Sequence, residues 1–210
     1  MAPSCPMLCT DRATLNHGFD GPTQDRVRVE VWEDRVLAAV ADGVGGMHGG
    51  EAAAELVVTS LAQRGSAGSD AAWVQMLRVI DRALVAGDVG QSTAVVLTVT
   101  PLQIVGACVG DSHAWWFPTG APAVHLSARA PRKPLLGSGE AAPLGFVHDA
   151  GTGRLVLASD GLFRYASAAQ IEAVARAGTA GEAAEALVAL VRLPSGGLQD
   201  DLGLAVVDIA

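Results

Sequence analysis

Four aspartates stand at the ends of apolar runs that are typical of buried strands. They are Asp25 before VRVEVW, Asp42 after VLAAVA, Asp160 after LVLAS and Asp200 before LGLAVV. Carboxylates that meet at one end of a sheet repel each other unless a positive charge lies among them. Hard divalent cations prefer oxygen ligands, and no set of histidines and cysteines competes for a metal in this sequence. The pattern therefore favours an all-oxygen site for divalent cations.

Strand pairing decides whether these aspartates meet. If residues 33–34 form a two-residue hairpin turn, counting back along both strands sets Asp25 opposite Asp42. If the strands next to Asp160 and Asp200 are antiparallel neighbours, those two residues also share one end of a sheet. Each aspartate alone is more often a turn or capping residue. The set of four, in this order, is what points to a site.

The stretch ADGVGGMHGG (41–50) is half glycine and directly follows an apolar run. Glycine has no side chain, so the backbone carbonyl of Gly43 is free to approach a metal ion. The same lack of side chains leaves room for a substrate phosphate beside Asp42.

Length, composition and charge narrow the class of protein. A chain of 210 residues with half of them hydrophobic is long enough for one domain, over residues 1–210. The net charge of −8 without a basic block argues against nucleic acid as a partner. No apolar run approaches the ~18 residues of a membrane span. The odd set Cys5, Cys9 and Cys108 and the absence of a signal-peptide pattern predict reduced thiols in a cytoplasmic protein.

Hydrophobic periodicity predicts an α+β fold. The predicted strands are 27–32, 36–41, 92–99, 102–109, 113–117, 153–159 and 202–210, and the predicted helices are 51–65, 70–87, 167–178 and 179 to about 193. The segment 118–143 is predicted to be loop. Several strands are apolar on both faces, so both faces need cover. Two mostly antiparallel sheets packed together, with a helix pair on each outer face, form a four-layer α-β-β-α sandwich that satisfies this.

The sequence resembles the metal-dependent serine/threonine protein phosphatases of type 2C. The matching stretches, in order, are TQDRVRV (23–29), VADGVGGMHGGEAA (40–53), STAVVLTVTPLQIVGACVGDSHAW (92–115), and LVLASDGLF (155–163) with QDDLGLAVVDI (199–209). They extend from about residue 20 to the end. The resemblance implies the same four-layer fold and a pair of Mn²⁺ or Mg²⁺ ions bridged by a water.

The resemblance also implies a role for each candidate residue. Asp42 is the bridging metal ligand and Gly43 contributes its carbonyl, Asp160 and Asp200 bind the first metal, and Asp25 acts through water. Residues 110–112 are expected to form a structural turn, so Asp111 is left out of the metal set. Two cations roughly 3.5–4 Å apart would lower the pKa of the shared water and neutralise charge on the phosphate.

The cationic residue that binds the substrate phosphate, which we call the phosphate grip, is one point where the sequence departs from the family. The family's arginine position, four residues before the acidic pair, holds Asp20. Arg12, Arg26 and Lys133 are the candidate replacements. Lys133 is preferred, because the segment 131–139 combines two adjacent cations with turn-forming glycines and lies between the metal-ligand stretches.

Three other positions also differ from the family. Gln24 replaces the first acid of the acidic pair, and Met47 occupies the histidine position, so that His48 follows it as the candidate general acid. Arg129-Ala130 falls where the family has the Asp-His of a third metal site. The mobile flap of the family is nearly absent.

Three functions stay open at this point. The first is hydrolysis of phosphoserine and phosphothreonine on proteins, with a phosphorylated protein as substrate and a cognate serine/threonine kinase or its target as a partner. The second is a weakly active or inactive phosphatase-like module that regulates or binds. The third is hydrolysis of small phosphate esters. The retained Asp42, Asp160 and Asp200 favour catalysis, because a binding module has no need of a costly charge cluster.

Overall fold

The computed structural model describes residues 8–19, 21–44 and 46–210, without the side chains of 46–48. The strands are β1 (Cys9–His17), β2 (Arg26–Val31), β3 (Val36–Ala41), β4 (Gly43–Val44), β5 (Gln91–Ser92), β6 (Ala94–Val99), β7 (Gln103–Val109), β8 (His113–Pro118), β9 (Val124–His125), β10 (Leu144–Asp149), β11 (Gly153–Ala158) and β12 (Leu202–Ile209). The helices are α1 (Gly46–Arg64), α2 (Asp70–Gly87), α3 (Asp160–Phe163), α4 (Ala168–Ala175) and α5 (Ala180–Val191).

Two five-stranded antiparallel sheets form the centre of the protein. The first sheet has the order β1-β12-β11-β8-β9, and the second sheet has the order β10-β7-β6-β3-β2. Helices α1 and α2 pack on the outer face of the second sheet, and helices α3 to α5 pack on the outer face of the first. The predicted four-layer sandwich is confirmed.

Strand β3 shows why the sheets need cover on both faces. All six of its residues are buried. Leu37 and Ala39 pack into the core under α1 and α2, whereas Val36, Ala38 and Val40 pack into the core between the sheets. Successive side chains of a strand point to opposite faces, so an uninterrupted apolar run contributes side chains to two hydrophobic cores.

Side-chain caps mark the starts of three of the predicted helices. Ser69 caps α2 by accepting from the backbone N–H of Ala72. Ser167 and Thr179 form complete capping boxes with Gln170 and Glu182 at the starts of α4 and α5. Helix α1 begins at residue 46 instead of 51, because the glycine-rich stretch runs into the helix.

Several elements differ from the sequence prediction. Strands β1 and β10 were not predicted, because both are edge strands: β1 is largely polar and exposed, and no residue of β10 is fully buried. Helix α3 is a single turn, too short to show periodicity. The predicted strand 92–99 is broken at Thr93, and the predicted loop 118–143 contains the short β9.

The strand pairing meets both conditions for bringing the aspartates together. The backbone N–H of Trp32 donates to the carbonyl of Arg35 at 2.9 Å, and Arg26 pairs with Ala41, so Asp25 and Asp42 are the next residues along each strand. Strands β11 and β12 are antiparallel neighbours, which places residues 160 and 200 at one end of the first sheet. No helix in the described part of the chain has the length and hydropathy that crossing a bilayer requires.

Candidate active site

Five aspartates gather at one end of the sandwich. They are Asp25, Asp42, Asp111, Asp160 and Asp200, which we call the carboxylate cluster. Their electrostatic coupling shows that they lie close together. Besides burial, the charges of other members of the cluster raise the pKa of Asp42 and of Asp160. The structure therefore brings together all four aspartates predicted from the sequence and adds Asp111.

Asp25 is completely buried, and among the described residues neither of its carboxylate oxygens has a hydrogen-bond partner of good geometry. Burial, together with the smaller effect of the charge of Asp201, raises its pKa to about 6. The hydroxyl of Ser159 and the N–H of Gly203 lie close enough to oppose this effect, and the N–H of Gly203 also donates to the hydroxyl oxygen of Ser159 at 3.0 Å. A buried carboxylate in this state is stabilised by a proton or by a cation.

Asp42 has the most perturbed carboxylate in the cluster. Its pKa is raised to about 8, first by burial and then by the charges of Asp25 and Asp160. Its backbone is held firmly, since its N–H donates to Oγ1 of Thr93 at 3.0 Å and its carbonyl accepts from the N–H of Thr93 at 2.9 Å. Oγ1 of Thr93 lies 2.6 Å from Oγ of the buried Ser112. The backbone is thus fixed, while burial and the acidic neighbours disfavour the ionised form of the side chain.

Asp160 and Asp200 share one guanidinium group. Arg164 forms an ion pair with Oδ2 of Asp160, one helical turn before it, and donates from Nη1 to Oδ2 of Asp200 at 2.8 Å. Burial raises the pKa of Asp160, and the nearby Arg164 acts in the opposite direction. No sequence pattern singled out Arg164, because its role depends on the spatial meeting of two strand ends.

Asp201 is structural, in contrast to its neighbour Asp200. Its two carboxylate oxygens accept from the backbone N–H groups of Phe19 and Gln24, at 2.8 and 2.7 Å. The carboxylate therefore ties the loop before β2 to the start of β12 and helps to place Asp25.

The glycines of the 41–50 stretch have a packing role. A Cβ atom on Gly43 would lie 2.0 Å from the carbonyl oxygen of Gly50, so the backbones of β4 and α1 meet more closely than any other residue type permits. The carbonyl of Gly43 as a metal contact stays a prediction. The side chain of His48 and the whole of Asp20 lie outside the described residues.

Asp111 lies in the turn that the sequence predicted, and Gly110 before it has φ +88°. Its charge nevertheless raises the pKa of both Asp42 and Asp160, so it belongs to the same electrostatic group. A usable signal was present in the sequence, because Asp111 also lies just after a buried strand, β7, separated from it only by Gly110.

The segment 131–139, which was predicted to hold the phosphate, lies beside the cluster. The N–H of Gly110 donates to the carbonyl of Pro131 at 3.1 Å, and Leu136 pairs with Ser92. Lys133 itself is exposed and forms no ion pair with the described residues. Its neighbour Arg132 does, donating to Asp111 at 2.7 Å.

The other two candidates for the phosphate grip are placed less favourably. Arg26 is paired with Glu51 and Glu55 of α1. Arg12 lies opposite Val207, five strand positions from the end of β12 that carries the site, which corresponds to roughly 17 Å.

A buried acid on α2 holds the same segment in place, and sequence reasoning missed it. The carboxylate of Asp81 accepts from the backbone N–H groups of Gly137, Gly139 and Ala141, at 2.7, 3.1 and 3.3 Å. The signal was an acid on the apolar face of a helix, one turn from the buried Leu77 and Leu84.

Two histidines border the cluster without adding positive charge to it. His113 packs edge-on against Phe163 of α3, with ring centroids 5.1 Å apart, and His125 stacks on Trp115. Burial lowers the pKa of both, to about 4 for His125. Both rings are therefore largely neutral near pH 7, and they do not offset the carboxylates.

The cluster fits divalent cations in its chemistry, although its side chains are not arranged around an ion. Within the described ranges, no three side chains of the ligating types already converge on one point. The donor set is nevertheless all carboxylate, Asp25 is buried without a partner, and two guanidinium groups face five acids. Hard cations with oxygen ligands are what such a set accommodates.

The comparisons with known proteins identify the fold. No family model and no curated protein sequence matches this chain. Among solved structures, the catalytic domain of the serine/threonine protein phosphatase PstP, in complex with two manganese ions, superposes with a TM-score of 0.80 at 22% identity, covering 95% of this chain and 97% of that one.

Two further structures agree. The serine/threonine phosphatase Stp1 from Staphylococcus aureus has a TM-score of 0.79 at 17% identity, covering 97% of this chain and 96% of its own. A bacterial serine phosphatase has a TM-score of 0.80 at 17% identity over 95% and 98% of the two chains. At these identities the likeness establishes that this chain has the fold of bacterial serine/threonine phosphatases.

Proposed function

We propose that this protein is a metal-dependent phosphatase that hydrolyses phosphoserine and phosphothreonine on proteins. The observation that carries the proposal is the buried, unpartnered carboxylate of Asp25 beside Asp42, at the end of a sandwich whose fold is shared with serine/threonine phosphatases. Solvent-excluded acids of this kind are expensive to keep unless a ligand uses them. We also propose that the protein acts in the cytoplasm, on the substrate of a cognate kinase or on the kinase itself.

The chain's own residues would hold two divalent cations, Mn²⁺ or Mg²⁺. Asp42 and the carbonyl of Gly43 would contact the cations, Asp160 and Asp200 would bind the first, and Asp25 would act through water. Divalent cations supply acidity to a bound water and neutralise charge on a phosphoryl group. The rigid backbone around Asp42, held by Thr93, would keep the ligand in place.

Two residues would act on the substrate. His48 would donate a proton to the leaving serine or threonine oxygen. Lys133 would bind the phosphate, and the docking of its segment beside Gly110 and Ser92 supports this placement. Arg132 is the alternative cation on the same segment, since it already contacts Asp111.

The test is hydrolysis of an aryl phosphate and of a phosphoserine/phosphothreonine peptide panel, each with Mn²⁺, with Mg²⁺ and with EDTA. Metal-dependent turnover of peptides supports the proposal. Turnover of the aryl phosphate alone would indicate a hydrolase of small phosphate esters instead. Full activity after exhaustive chelation would exclude the proposed metal chemistry.

One observation favours the alternative of a weakly active regulatory module. Arg164 occupies both Asp160 and Asp200, which are the proposed ligands of the first cation. A module of this kind would bind Mn²⁺ weakly and show little turnover with either substrate class.

A further inference from the structure

Arg164 is a positively charged side chain that bridges two acids of the carboxylate cluster. Its guanidinium contacts one carboxylate oxygen of Asp160 and one of Asp200, and these two acids come from different parts of the chain, at the ends of β11 and β12. The side chain is 47% exposed, so it is free to move away into solvent. These two ion pairs also explain why the carboxylates of Asp160 and Asp200 are turned toward a side chain of the protein.

A guanidinium group and a metal ion cannot use the same carboxylate oxygens at the same time. Arg164 offers one positive charge spread over a planar group, whereas a divalent cation offers two charges at a point. A divalent cation that enters this pair must therefore displace Arg164, and the free energy of breaking the two ion pairs is subtracted from its binding.

We propose that Arg164 is an intramolecular competitor of the first divalent cation and sets the metal affinity of this site. The inference rests on the proposed function only in taking Asp160 and Asp200 as metal ligands. Without metal, Arg164 holds the two strand ends together. With metal bound, it leaves the carboxylates and lies at the rim of the site.

The size of the effect follows from exposure. Ion pairs that are about half exposed contribute modestly, so removing both competing pairs should raise metal affinity by about three- to tenfold. The competition is also electrostatic, so added salt should weaken it by screening the ion pairs.

The experiment is calorimetric titration of the metal-free protein with Mn²⁺, for the wild type, Arg164→Gln and Arg164→Lys. Arg164→Gln should bind Mn²⁺ about three- to tenfold more tightly, and Arg164→Lys should fall between it and the wild type. In chelator, Arg164→Gln should melt at a lower temperature than the wild type, because the two acids lose their counter-charge. The gap in affinity should narrow between low and high salt.

Two control variants separate this effect from general ones. Arg176 forms the same one-turn ion pair with Glu172 on α4, away from the site, so Arg176→Gln should leave Mn²⁺ affinity unchanged. Arg132→Gln removes a charge beside the cluster without freeing Asp160 or Asp200, so its gain in affinity should be clearly smaller than that of Arg164→Gln.

Each outcome decides the matter. Unchanged or weaker Mn²⁺ binding by Arg164→Gln overturns the inference, as does an equal gain from Arg132→Gln. If the wild type binds Mn²⁺ and hydrolyses phosphopeptides while Arg164→Gln shows no gain, the inference fails and the proposed function stands. If neither protein binds Mn²⁺, both fail.

Discussion

The two ends of the strand pair β11–β12 carry charged side chains in opposite states. At one end, Arg154 and Asp208 face each other in register, and Nε of Arg154 lies 2.5 Å from Oδ1 of Asp208. The remaining donors of Arg154 bond to Asp208 and to the carbonyls of Ala175, Ala177 and Gly178, at 2.8 to 2.9 Å. Both charges of this pair are therefore fully partnered.

At the other end of the same strands, acids outnumber cations. Asp25 is buried without a hydrogen-bond partner in the described part of the chain, and the pKa of Asp42 is raised to about 8 by burial and by its acidic neighbours. The comparison shows that this fold can give buried charged side chains a full set of partners. It does so for the pair at one end of β11 and β12 and not for the acids at the other end. A deficit of positive charge in an otherwise well-paired structure marks the end that binds a ligand.

The largest expected effect comes from removing a carboxylate at the unpaired end. Asp42→Ala should abolish metal-dependent hydrolysis, because Asp42 is proposed to touch both cations. Asp160→Ala and Asp200→Ala should be nearly inactive. Initial rates with saturating Mn²⁺ provide the measurement, and Cys108→Ala, which changes a buried thiol outside the cluster, is the control and should stay close to wild type. Metal-dependent turnover by Asp42→Ala would contradict the assignment.

The paired end should respond in the opposite way. Arg154→Met leaves Asp208 partly buried without its counter-charge, and breaking a buried pair costs about 3 kcal/mol of unfolding free energy. Hydrolysis per folded molecule should not change. Urea unfolding in parallel with rate measurements checks both statements, and an Arg154→Met protein that is stable but inactive would break the contrast between the two ends.

The parts of the site that could be predicted from sequence depend on local signals. The hairpin turn at residues 33–34 and the apolar run of β3 were enough to place Asp25 beside Asp42. The apolar runs of β11 and β12 were enough to place Asp160 and Asp200 at one end of a sheet. The ends of these strands can be predicted from the sequence, because an apolar run stops there and a polar residue follows.

The remaining parts depend on contacts between distant positions. Asp201 binds the backbone of Phe19 across 182 residues of sequence, and Asp81 holds a loop 56 to 60 residues away. The edge strands β1 and β10 lack the long buried apolar runs of the central strands, because each pairs with a neighbour on one side only. Arg164 was missed because its two partners meet only in the folded chain.

A smaller effect on activity is expected from removing the proposed phosphate-binding residue, Lys133, at the unpaired end. Lys133→Ala should raise KM or lower kcat/KM by about ten- to a hundredfold, because a charge-assisted hydrogen bond to phosphate contributes roughly 1.5–3 kcal/mol. Mn²⁺ affinity should hardly change.

Lys133 is the sole lysine in the sequence, which allows a second measurement. Inorganic phosphate together with Mn²⁺ should protect its amine from acylation, as followed by mass spectrometry of the Lys133 peptide. Arg132→Gln is the matched control on the same segment. If Lys133→Ala matches wild type within about twofold while Arg132→Gln loses activity, the grip belongs to Arg132.

The smallest expected effect is a pH dependence of stability that only the unpaired end should show. In the folded protein, burial raises the pKa of Asp42 from 3.8 to about 8, so near neutral pH the folded chain holds a proton that the unfolded chain has released. The folded state therefore gains stability as pH falls through 8, and loses it as pH rises. Below about pH 6.5, His113 and His125 act in the opposite direction, because burial lowers their pKa. In chelator, the melting temperature should thus rise by about 2–4 °C from pH 8.5 to pH 7, as scanning calorimetry would measure.

Asp42→Asn should flatten this slope, whereas Asp34→Asn, on the exposed hairpin turn, should keep it. Saturating Mn²⁺ should reverse the slope, because a cation binds the ionised carboxylate and competes with the proton. An unchanged slope in Asp42→Asn would show that the carboxylate cluster is not the source of the pH dependence.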